Sequence, residues 1–341
     1  MKAAMFLGPR RLELQELPLP DIGPRDVRVR VLGCGLCGTD VHIYNGHLPN
    51  ARPPVVLGHE IYGRVEEAGA EARGLESGEP VVADPFIPCG ECPECRSGER
   101  RFCRRETFLG YHRNGGFAQF TAVPAVNLYR LPPNTSSESG ILTETLATVV
   151  AGLHRLAPQP GRRFLLLGAG TVGLLWAQLL RRTLPACLIQ TEVVPERLAR
   201  ARALGPDLAL SPDAEELEAT VRGICPGGVD YLIDATGNSD AVAQALPLLA
   251  RGGTFLSFGI CPAEERLPLS LNWFYKQQVT FITSRRPPGE MPRAVELLAG
   301  GAVDPGSVVT GRFPLTRLEE CFHLFDEAKD RQIKMLIDPW A

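Results

Sequence analysis

The sequence predicts an α/β protein in which a β-rich domain precedes a doubly wound domain built on a parallel sheet. Alternating strand patterns separated by glycine and proline fill about the first 130 residues. A continuous apolar run at residues 163–167 then leads into a glycine-rich turn and an amphipathic helix, and strands and helices alternate from there. A chain of 341 residues has room for two domains of ordinary size.

The overall composition excludes several classes of partner. Hydrophobic residues make up 44% of the chain, charged residues 22%, and the net charge is -3, so we expect neither a nucleic-acid nor an anionic-membrane partner. No apolar run reaches the roughly 18–20 residues of a membrane span. Residues 1–6 predict a strand and not a signal peptide, because no apolar core or cleavage site follows them. We therefore expect a cytoplasmic protein whose ten cysteines are reduced or bind metal.

The first predicted domain, residues 1–146, consists mainly of strands. The predicted strands are residues 2–7, 11–17, 27–32, 61–68, 80–84, 115–120 and 127–131. Residues 33–35 are expected to end the third strand. A short helix is expected to begin near Thr39, whose hydroxyl can cap free amide groups.

One short stretch of this domain carries most of its chemistry. Residues 33–42 run Gly-Cys-Gly-Leu-Cys-Gly-Thr-Asp-Val-His, and Gly58-His59-Glu60 follows after a loop. Cysteine and histidine bind zinc, and a catalytic zinc site takes three protein ligands and leaves one position open. We predict that Cys37 and His59 are two such ligands. The alternative for Cys37, a buried thiol that binds nothing, is less favoured because His59 accompanies it.

Four further cysteines form a second motif within one loop, residues 89–103. Cys89, Cys92, Cys95 and Cys103 have the spacing C-x2-C-x2-C-x7-C. Four thiolates can close tetrahedrally around a zinc ion and leave no open position, so the predicted site is structural. A zinc knuckle for nucleic acid is disfavoured by the acidic charge balance, and an iron–sulfur cluster has no other support in the sequence.

A dinucleotide-binding motif opens the second domain, residues 147–285. A helix predicted at residues 136–156, with Ser136 or Ser137 as its N-cap, leads into it. The apolar strand at 163–167 then runs into Gly168-Ala169-Gly170-Thr171-Val172-Gly173, and a helix follows to about residue 182. This context supports the motif G-x-G-x-x-G, whose glycines let the backbone approach a pyrophosphate at the helix N-terminus. The cofactor contacts are predicted at Gly168, Gly170, Thr171, Val172 and Gly173.

An acidic residue at the expected distance sets the predicted cofactor. Glu192 ends the second strand, residues 187–191, where a carboxylate can bind the adenosine ribose hydroxyls and repel a 2′-phosphate. No arginine directly follows it, so we predict NAD over NADP. Thr236 and Gly259, which follow the strands predicted at 229–235 and 254–258, are further predicted cofactor contacts.

The remaining elements complete this pattern. Beyond the second strand we predict helices at 195–204 and ending at 250, and a strand at 279–283. A C-terminal segment, residues 286–341, is expected to return to the first domain, because it contains no second nucleotide motif. Its predicted elements are a helix at 291–299, a strand at 308–313, a helix at 315–328 and a strand at 333–337.

Taken together, these motifs resemble the zinc-dependent alcohol dehydrogenases of the medium-chain dehydrogenase/reductase superfamily, over nearly the whole chain. The family's zinc signature is matched at Gly58, His59, Glu60, Gly63 and Gly69, with a mild departure at Ala72. The four-cysteine loop and the glycine-rich turn follow in the family's order. The resemblance implies a GroES-like catalytic domain and a Rossmann cofactor domain.

The resemblance also implies the metal ligands. Cys37 and His59 look like ligands of the catalytic zinc ion. Glu144 stands where the family has a second cysteine ligand, which resembles the polyol branch with its sorbitol and threonine dehydrogenases. In that branch Glu60 also approaches the metal, so the third ligand is either Glu60 or Glu144. Asp40 looks like the residue that holds the His59 ring.

Further roles follow from the same resemblance. Thr39 and His42 look like a proton relay from the substrate hydroxyl to solvent, and water held by Glu144 is a second route. An exposed helix histidine is the plain alternative for His42. Thr148 resembles the residue that contacts the nicotinamide. A zinc ion would polarise the alcohol oxygen, and NAD would accept the hydride.

The resulting functional prediction is the zinc- and NAD-dependent oxidation of a secondary alcohol, namely a polyol, sugar or cyclitol, to a ketone. The alternative is a threonine-type dehydrogenase of an amino alcohol. A zinc-free reductase of the superfamily would lack counterparts of Cys37 and His59, and a non-enzymatic nucleotide-binding protein would need only the four-cysteine zinc. We expect two zinc ions per chain, a small-molecule substrate and a homodimer or homotetramer.

Overall fold

The computed structural model describes the chain except for residues 50, 213, 262–264, 286–288 and 329–330. The chain divides into two compact units, Met1–Ala147 with Pro287–Ala341 and Thr148–Arg286. Both units combine helices with sheets, which confirms the α/β prediction. The predicted start of the last domain, residue 286, lies outside the described residues. None of the helices in the described part of the chain has the length and apolar character needed to cross a membrane.

The helices and strands are as follows in chain order. The N-terminal elements are β1 (Lys2–Gly8), β2 (Arg11–Glu16), β3 (Asp26–Leu36), α1 (Gly38–Tyr44), β4 (Val55–Val56), β5 (Glu60–Ala68), β6 (Pro80–Ala83), β7 (Phe86–Ile87), α2 (Pro93–Arg96), β8 (Thr107–Phe108), β9 (Phe120–Pro124), β10 (Leu128–Arg130) and α3 (Ser137–Leu156). The elements of the second unit are β11 (Arg163–Leu167), α4 (Thr171–Arg181), β12 (Cys187–Thr191), α5 (Pro195–Ala203), β13 (Leu208–Leu210), α6 (Ala214–Ile224), β14 (Val229–Asp234), α7 (Ser239–Ala245), β15 (Leu249–Ser257), α8 (Leu271–Gln277) and β16 (Thr280–Thr283). The C-terminal elements are α9 (Met291–Ala299), β17 (Val309–Pro314), α10 (Leu318–Glu327) and β18 (Lys334–Asp338).

A seven-stranded sheet is the framework of the first unit. Its strand order is β10-β6-β5-β3-β18-β17, and β9 also pairs with β3. The antiparallel pairing of β18 with β3 places Leu336 opposite Gly35, so the last strand of the chain lies in the sheet that the N-terminal strands begin. Buried side chains from both segments, such as Val31 and Met335, belong to one apolar core.

Strand β3 continues to Leu36, past the predicted end at residue 32. A glycine within it misled the prediction, because Gly35 is needed to make room for a neighbouring side chain. A Cβ at Gly35 would lie 1.9 Å from Glu60 Oε2. Helix α1 then begins with Cys37 as its N-cap, so the prediction that Thr39 caps this helix was wrong. The longer strand places Cys37 directly at the end of the sheet.

The strand predicted at residues 115–120 begins only at Phe120. The segment before it packs closely against the loop that precedes β5. A Cβ at Gly115 would lie 2.1 Å from the carbonyl oxygen of Gly58, so this approach requires glycine. The segment therefore supports the loop that carries His59.

The second unit contains a parallel sheet with the strand order β13-β12-β11-β14-β15-β16, which is the order of a doubly wound dinucleotide-binding domain. The predicted first strand matches β11 at both ends. Three elements, β13, α6 and α8, were not predicted. The helix predicted to end at residue 250 was too long, because α7 ends at Ala245 and β15 begins at Leu249. An apolar run such as residues 245–250 suits a buried strand as well as a helix, so periodicity could not place this boundary.

Candidate functional site

Three potential metal ligands come together at one end of the large sheet. Cys37 follows β3, and His59 directly precedes β5, which begins at Glu60. The pairing of β3 with β5 places Glu60 opposite Gly35. One ligand atom of each of Cys37, His59 and Glu60 lies within 4.8 Å of those of the other two. The sheet thus brings a thiol, an imidazole and a carboxylate to one place.

Asp40 connects two of these residues. Its Oδ1 lies 3.2 Å from His59 Nδ1 and accepts a hydrogen bond from the N–H of Gly58 at 3.3 Å. Its Oδ2 accepts the N–H of Cys37 at 3.1 Å. The carboxylate is inaccessible to solvent. Because Nδ1 of His59 faces Asp40, Nε2 is the imidazole atom left to bind a metal.

Tyr111 belongs to this cluster, although no role was predicted for it. Its hydroxyl lies 3.4 Å from His59 Nδ1. Its ring stacks on Phe108 with the ring centroids 4.4 Å apart. Tyr111 lies in an irregular segment just after the two-residue strand β8, so only the folded structure reveals this contact.

The surroundings of His59 favour positive charge. Burial lowers the pKa of this imidazole, but the charges of Tyr111, Asp40 and Cys37 outweigh that effect and raise the pKa well above its ordinary value. A divalent cation would satisfy the same preference. The donor set of thiol, imidazole and carboxylate therefore fits the predicted zinc ion.

Lys334 and Thr145 hold the carboxylate of Glu60 in place. Lys334 Nζ lies 2.6 and 2.8 Å from the two carboxylate oxygens and donates a third hydrogen bond to a backbone carbonyl at 3.3 Å. The Thr145 hydroxyl donates to Glu60 Oε1 at 2.7 Å. Glu60 is inaccessible to solvent and Lys334 is only 3% exposed. Burial opposes the charge of Lys334, yet Glu60 and, less strongly, Cys37 raise the pKa of this lysine above its ordinary value.

The sequence contains a signal for Lys334, although no role was predicted for this residue. It is one of few lysines in an arginine-rich chain, and it stands within the apolar strand β18. All five residues of that strand are buried. A lysine is almost never fully buried unless it is paired, so its position indicates a buried acidic partner.

Glu144 lies beside the ligand group but outside it. It is on α3 and is 9% exposed. Its charge contributes to the raised pKa values of Tyr111 and Lys334. Within the part of the chain that the structure describes, the set of mutually close ligand atoms contains Glu60 and not Glu144. Glu60 is therefore a member of the ligand group, whereas Glu144 is a neighbour of it.

The predicted relay residues both lie on α1. The hydroxyl oxygen of Thr39 is 3.7 Å from Cys37 Sγ, so Thr39 borders the ligand group. His42 lies one turn further along the helix, and its ring centroid is 6.0 Å from that of His47. Thr148, the predicted nicotinamide contact, is the first residue of the second unit.

The four cysteines of the second motif also come together. One ligand atom of each of Cys89, Cys92, Cys95 and Cys103 lies within 4.8 Å of the others. Backbone N–H groups, foremost those of Glu91 and Cys92, lower the pKa of Cys89 to about 6. Burial, together with the neighbouring thiols, raises the pKa of Cys95 to about 12. Four thiolates at this separation repel one another unless a cation neutralises them, and this arrangement fits a tetrahedral zinc ion.

Replacement of one thiol tests the structural role of this loop. We expect Cys92→Ser to lower the zinc content by one ion per chain and to reduce the melting temperature, because metal binding contributes directly to the folding of such loops. Metal analysis and thermal unfolding measure both effects. Cys261→Ser, which changes an exposed cysteine, is the control. Unaltered melting and zinc content in Cys92→Ser would contradict a structural zinc site.

The glycine-rich turn of the second unit joins β11 to α4. Gly168 has a φ of +94°, which favours glycine. A Cβ at Gly173 would lie 2.1 Å from the Gly168 carbonyl oxygen, so the third glycine of the motif allows the helix to approach the strand. Helix α4 begins at Thr171 with Gly170 as its N-cap. The first amide groups of α4, among them that of Val172, are the predicted phosphate contacts.

Glu192 is fixed beside this turn. Its Oε2 accepts the N–H of Ala169 at 2.7 Å and its Oε1 accepts the N–H of Val194 at 2.9 Å. The residue is 7% exposed. Arg197, which was not predicted to belong here, has its Nη1 3.9 Å from the position of a Cβ on Gly170. The position of this arginine, five residues after Glu192, is the sequence signal that could have indicated its place beside the turn.

Thr236 and Gly259 both bind the buried residue Asp234, the first through its carboxylate and the second through its backbone carbonyl. The Thr236 hydroxyl donates to Asp234 Oδ1 at 2.6 Å, and the N–H of Gly259 donates to the Asp234 carbonyl at 2.8 Å. A Cβ at Gly168 would lie 2.8 Å from Thr236 Cγ2. The structure thus places Thr236 beside the glycine-rich turn.

Comparisons with known proteins agree with this architecture. Residues 23–133 match the family model of the alcohol dehydrogenase GroES-like domain, and residues 171–300 match that of the zinc-binding dehydrogenases. The L-galactonate-5-dehydrogenase of Escherichia coli K12 is 30% identical over 325 residues, which cover 94% of each chain. The chain belongs to the zinc-dependent medium-chain dehydrogenase/reductase family. This dehydrogenase is therefore an oxidoreductase of the alcohol-oxidising type, and the expected GroES-like and Rossmann folds are confirmed.

Two further relatives illustrate the range of this family. The L-threonine 3-dehydrogenase of Anaeromyxobacter dehalogenans 2CP-C is 31% identical to this dehydrogenase over 324 residues, which cover 93% of each chain. The NADP-bound crystal structure of a candidate zinc-binding dehydrogenase from Sinorhizobium meliloti 1021 superposes with a TM-score of 0.92 at 30% identity, covering 99% of each chain. Relatives of equal similarity thus differ in their substrates.

Proposed function

We propose that this dehydrogenase oxidises a secondary alcohol with several hydroxyl groups, namely a polyol, sugar or cyclitol, to a ketone, with NAD as the hydride acceptor. The observation that carries the proposal is the ligand group in which the carboxylate of Glu60 accompanies Cys37 and His59. A zinc ion held there would polarise the substrate oxygen. The similarity to an L-galactonate dehydrogenase supports a polyhydroxylated substrate.

The residues of the cluster divide the remaining tasks. Cys37, His59 and Glu60 are the proposed metal ligands, since Glu60 and not Glu144 lies within the close ligand group. Asp40 fixes the imidazole of His59, and Lys334 fixes the carboxylate of Glu60. Glu144 then remains to hold water beside the substrate.

The proton of the alcohol leaves through the hydroxyl of Thr39 and the imidazole of His42, both on α1. Thr39 supports this role because its oxygen lies beside Cys37, where the substrate oxygen would bind. A hydroxyl both donates and accepts hydrogen bonds, so Thr39 can receive the substrate proton while passing on its own. Thr148 is proposed to contact the nicotinamide and to orient it for hydride transfer.

NAD is proposed over NADP because Glu192 is held rigidly by two backbone amides. A carboxylate anchored in this way cannot move aside for a 2′-phosphate, and the two negative charges repel each other. Arg197, beside the turn, could bind either a ribose hydroxyl or a 2′-phosphate. The fixed carboxylate of Glu192 favours the hydroxyl, because it repels the phosphate. The NADP-bound relative shows that a protein of this fold can hold NADP, so the fold alone does not decide the cofactor.

Steady-state kinetics with both cofactors test this preference. We expect kcat/KM for NAD to exceed that for NADP by at least about tenfold, since about 1.4 kcal/mol of discrimination suffices for that ratio. Glu192→Ala should reduce the ratio of kcat/KM for NAD to that for NADP, chiefly because NAD would bind more weakly. Glu196→Ala, which removes a nearby exposed carboxylate, is the matched control. A preference of the wild type for NADP would contradict the proposal.

Threonine-type activity is the second candidate, favoured by the similarity to an L-threonine 3-dehydrogenase. The zinc-replete enzyme should be assayed for NAD reduction with linear polyols, cyclitols, aldoses, sugar acids, threonine and simple alcohols. Turnover confined to polyhydroxylated substrates supports the first proposal. Turnover with threonine alone would replace it by the second.

We propose a homodimer or homotetramer that forms through the edge strand of the second unit. β16 is the last strand of its sheet order, and Leu271 and Tyr275 of the preceding α8 are 83% and 82% exposed. An exposed apolar edge of this kind can pair with the same edge of a second chain. We expect Leu271→Glu to lower the mass measured by light scattering, whereas Leu184→Glu, at another site that is 72% exposed, should not. A monomeric wild type would contradict this.

A further inference from the structure

Gln190 is a polar side chain in the apolar interior of the second unit. It lies on β12 opposite Leu166 of β11 and is inaccessible to solvent. The two residues before it on the strand, Leu188 and Ile189, are apolar and fully buried, as expected for a central parallel strand. An apolar residue would pack there without the cost of burying an amide, so the presence of glutamine requires another explanation.

The amide group of Gln190 holds the two ends of the glycine-rich turn. Its Nε2 donates to the carbonyl oxygens of Gly168 and Gly173, at 2.9 and 3.4 Å. The turn closes on itself at this point, because the Gly168 oxygen lies directly against Gly173. Gln190 therefore fixes the first glycine of the motif relative to the third.

Glu192, the residue directly after β12, holds the turn at a second point. Glu192 accepts the N–H of Ala169, the residue after Gly168. The two side chains thus hold consecutive residues of the turn, one through a carbonyl and the other through an amide.

The second atom of the amide argues against a role in stability. Gln190 Oε1 forms no hydrogen bond to any residue that the structure describes. A buried acceptor without a partner lowers the stability of a fold. The contacts to the turn are therefore what glutamine supplies at this position and a leucine would not.

We propose that Gln190 is a positioning residue for the diphosphate of the cofactor. By holding Gly168 and Gly173 it sets the turn in advance, so that the first amide groups of α4 face the phosphates. A site that is already ordered loses less conformational freedom on binding. The inference rests on the proposed function, because it concerns the same cofactor, and it assigns Gln190 no contact with that cofactor.

The experiment compares Gln190→Met with the wild type and with Gln178→Met. Methionine keeps the length of the side chain but cannot donate a hydrogen bond. Gln178 is the matched control, because its Nε2 also donates to a carbonyl, that of Leu174 at 3.3 Å, but within α4 and away from the turn. Dissociation constants are measured by NADH fluorescence, with ADP-ribose and adenosine as competitors. Gln190→Leu repeats the test if methionine packs poorly.

We expect Gln190→Met to raise the dissociation constants of NADH and ADP-ribose by about tenfold, as for the loss of one or two hydrogen bonds that order a site. The dissociation constant of adenosine, which lacks the diphosphate, should change by less than about twofold, and so should kcat at saturating NAD. The melting temperature should stay within a few degrees of the wild type, since the variant removes the unpaired Oε1 together with the donor to the two carbonyl groups.

Two results would overturn the inference. The first is unchanged NADH affinity in Gln190→Met. The second is an equal loss for NADH, ADP-ribose and adenosine together with a lower melting temperature, which would show that the amide only stabilises the fold. A wild type that binds NADH but oxidises no alcohol would contradict the proposed function instead, and the comparison of affinities would still stand.

Discussion

Replacement of Lys334 by methionine is expected to lower the free energy of unfolding of the metal-free protein by about 3–5 kcal/mol, the usual cost of removing one partner of a buried ion pair. Methionine has nearly the volume of lysine, so packing changes little. The loss arises because both oxygens of Glu60 would lose the ammonium group that lies 2.6 and 2.8 Å away. For a unit of this size the melting temperature should fall by roughly 10 °C.

Two comparisons isolate this effect. Lys276→Met removes an exposed lysine and should leave stability within about 0.5 kcal/mol of the wild type. Zinc should restore part of the stability of Lys334→Met, because the cation compensates the charge of Glu60 in place of lysine. Thermal unfolding with and without zinc measures both. If Lys334→Met unfolds like the wild type in the absence of metal, the ion pair does not have the proposed importance.

Cys37→Ser is expected to lower kcat/KM by at least about a thousandfold, which corresponds to about 4 kcal/mol of transition-state stabilisation. The physical reason is the loss of one of three proposed ligands, and a serine hydroxyl is a far weaker zinc ligand than a thiolate. The variant should retain one zinc ion per chain, in the four-cysteine site, and should bind NADH as tightly as the wild type.

Cys34→Ser is the matched control for this variant. Cys34 is a buried cysteine of β3, three residues earlier, and it is outside the ligand group. The Cys34→Ser variant should retain both zinc ions and most of the wild-type activity. Metal analysis and NADH fluorescence on the same preparations separate the two variants. Retention of two zinc ions by Cys37→Ser would show that the ligand assignment is wrong.

The parts of the site that depend on local sequence were predicted closely. The strand β11, the glycine-rich turn and the helix α4 occupy adjacent residues, so their pattern is complete within one window. The four cysteines also lie within a single loop, so their spacing alone predicts that their sulfur atoms come together. Local spacing therefore predicted the glycine-rich turn and the meeting of the four cysteines, and their roles in binding a cofactor and a metal stay predictions.

The parts that depend on distant contacts were not predicted. Lys334 and Glu60 are 274 residues apart, and no sequence pattern joins them. Tyr111 and Gln190 likewise act through neighbours that only the fold brings near. The glycine Gly35 was even misleading, because it was taken as the end of a strand when its missing side chain makes room for Glu60.

The contact of Lys334 with Glu60 has a consequence for the order of events during translation. At a synthesis rate of about 5–20 residues per second, the 274 residues between them take roughly 14–55 s to add. During that time the nascent N-terminal segment contains Cys37, His59 and Glu60 but lacks the strand that neutralises Glu60. The first unit therefore reaches its final form only after β18 has been synthesised, which is later than the whole of the second unit, Thr148–Arg286.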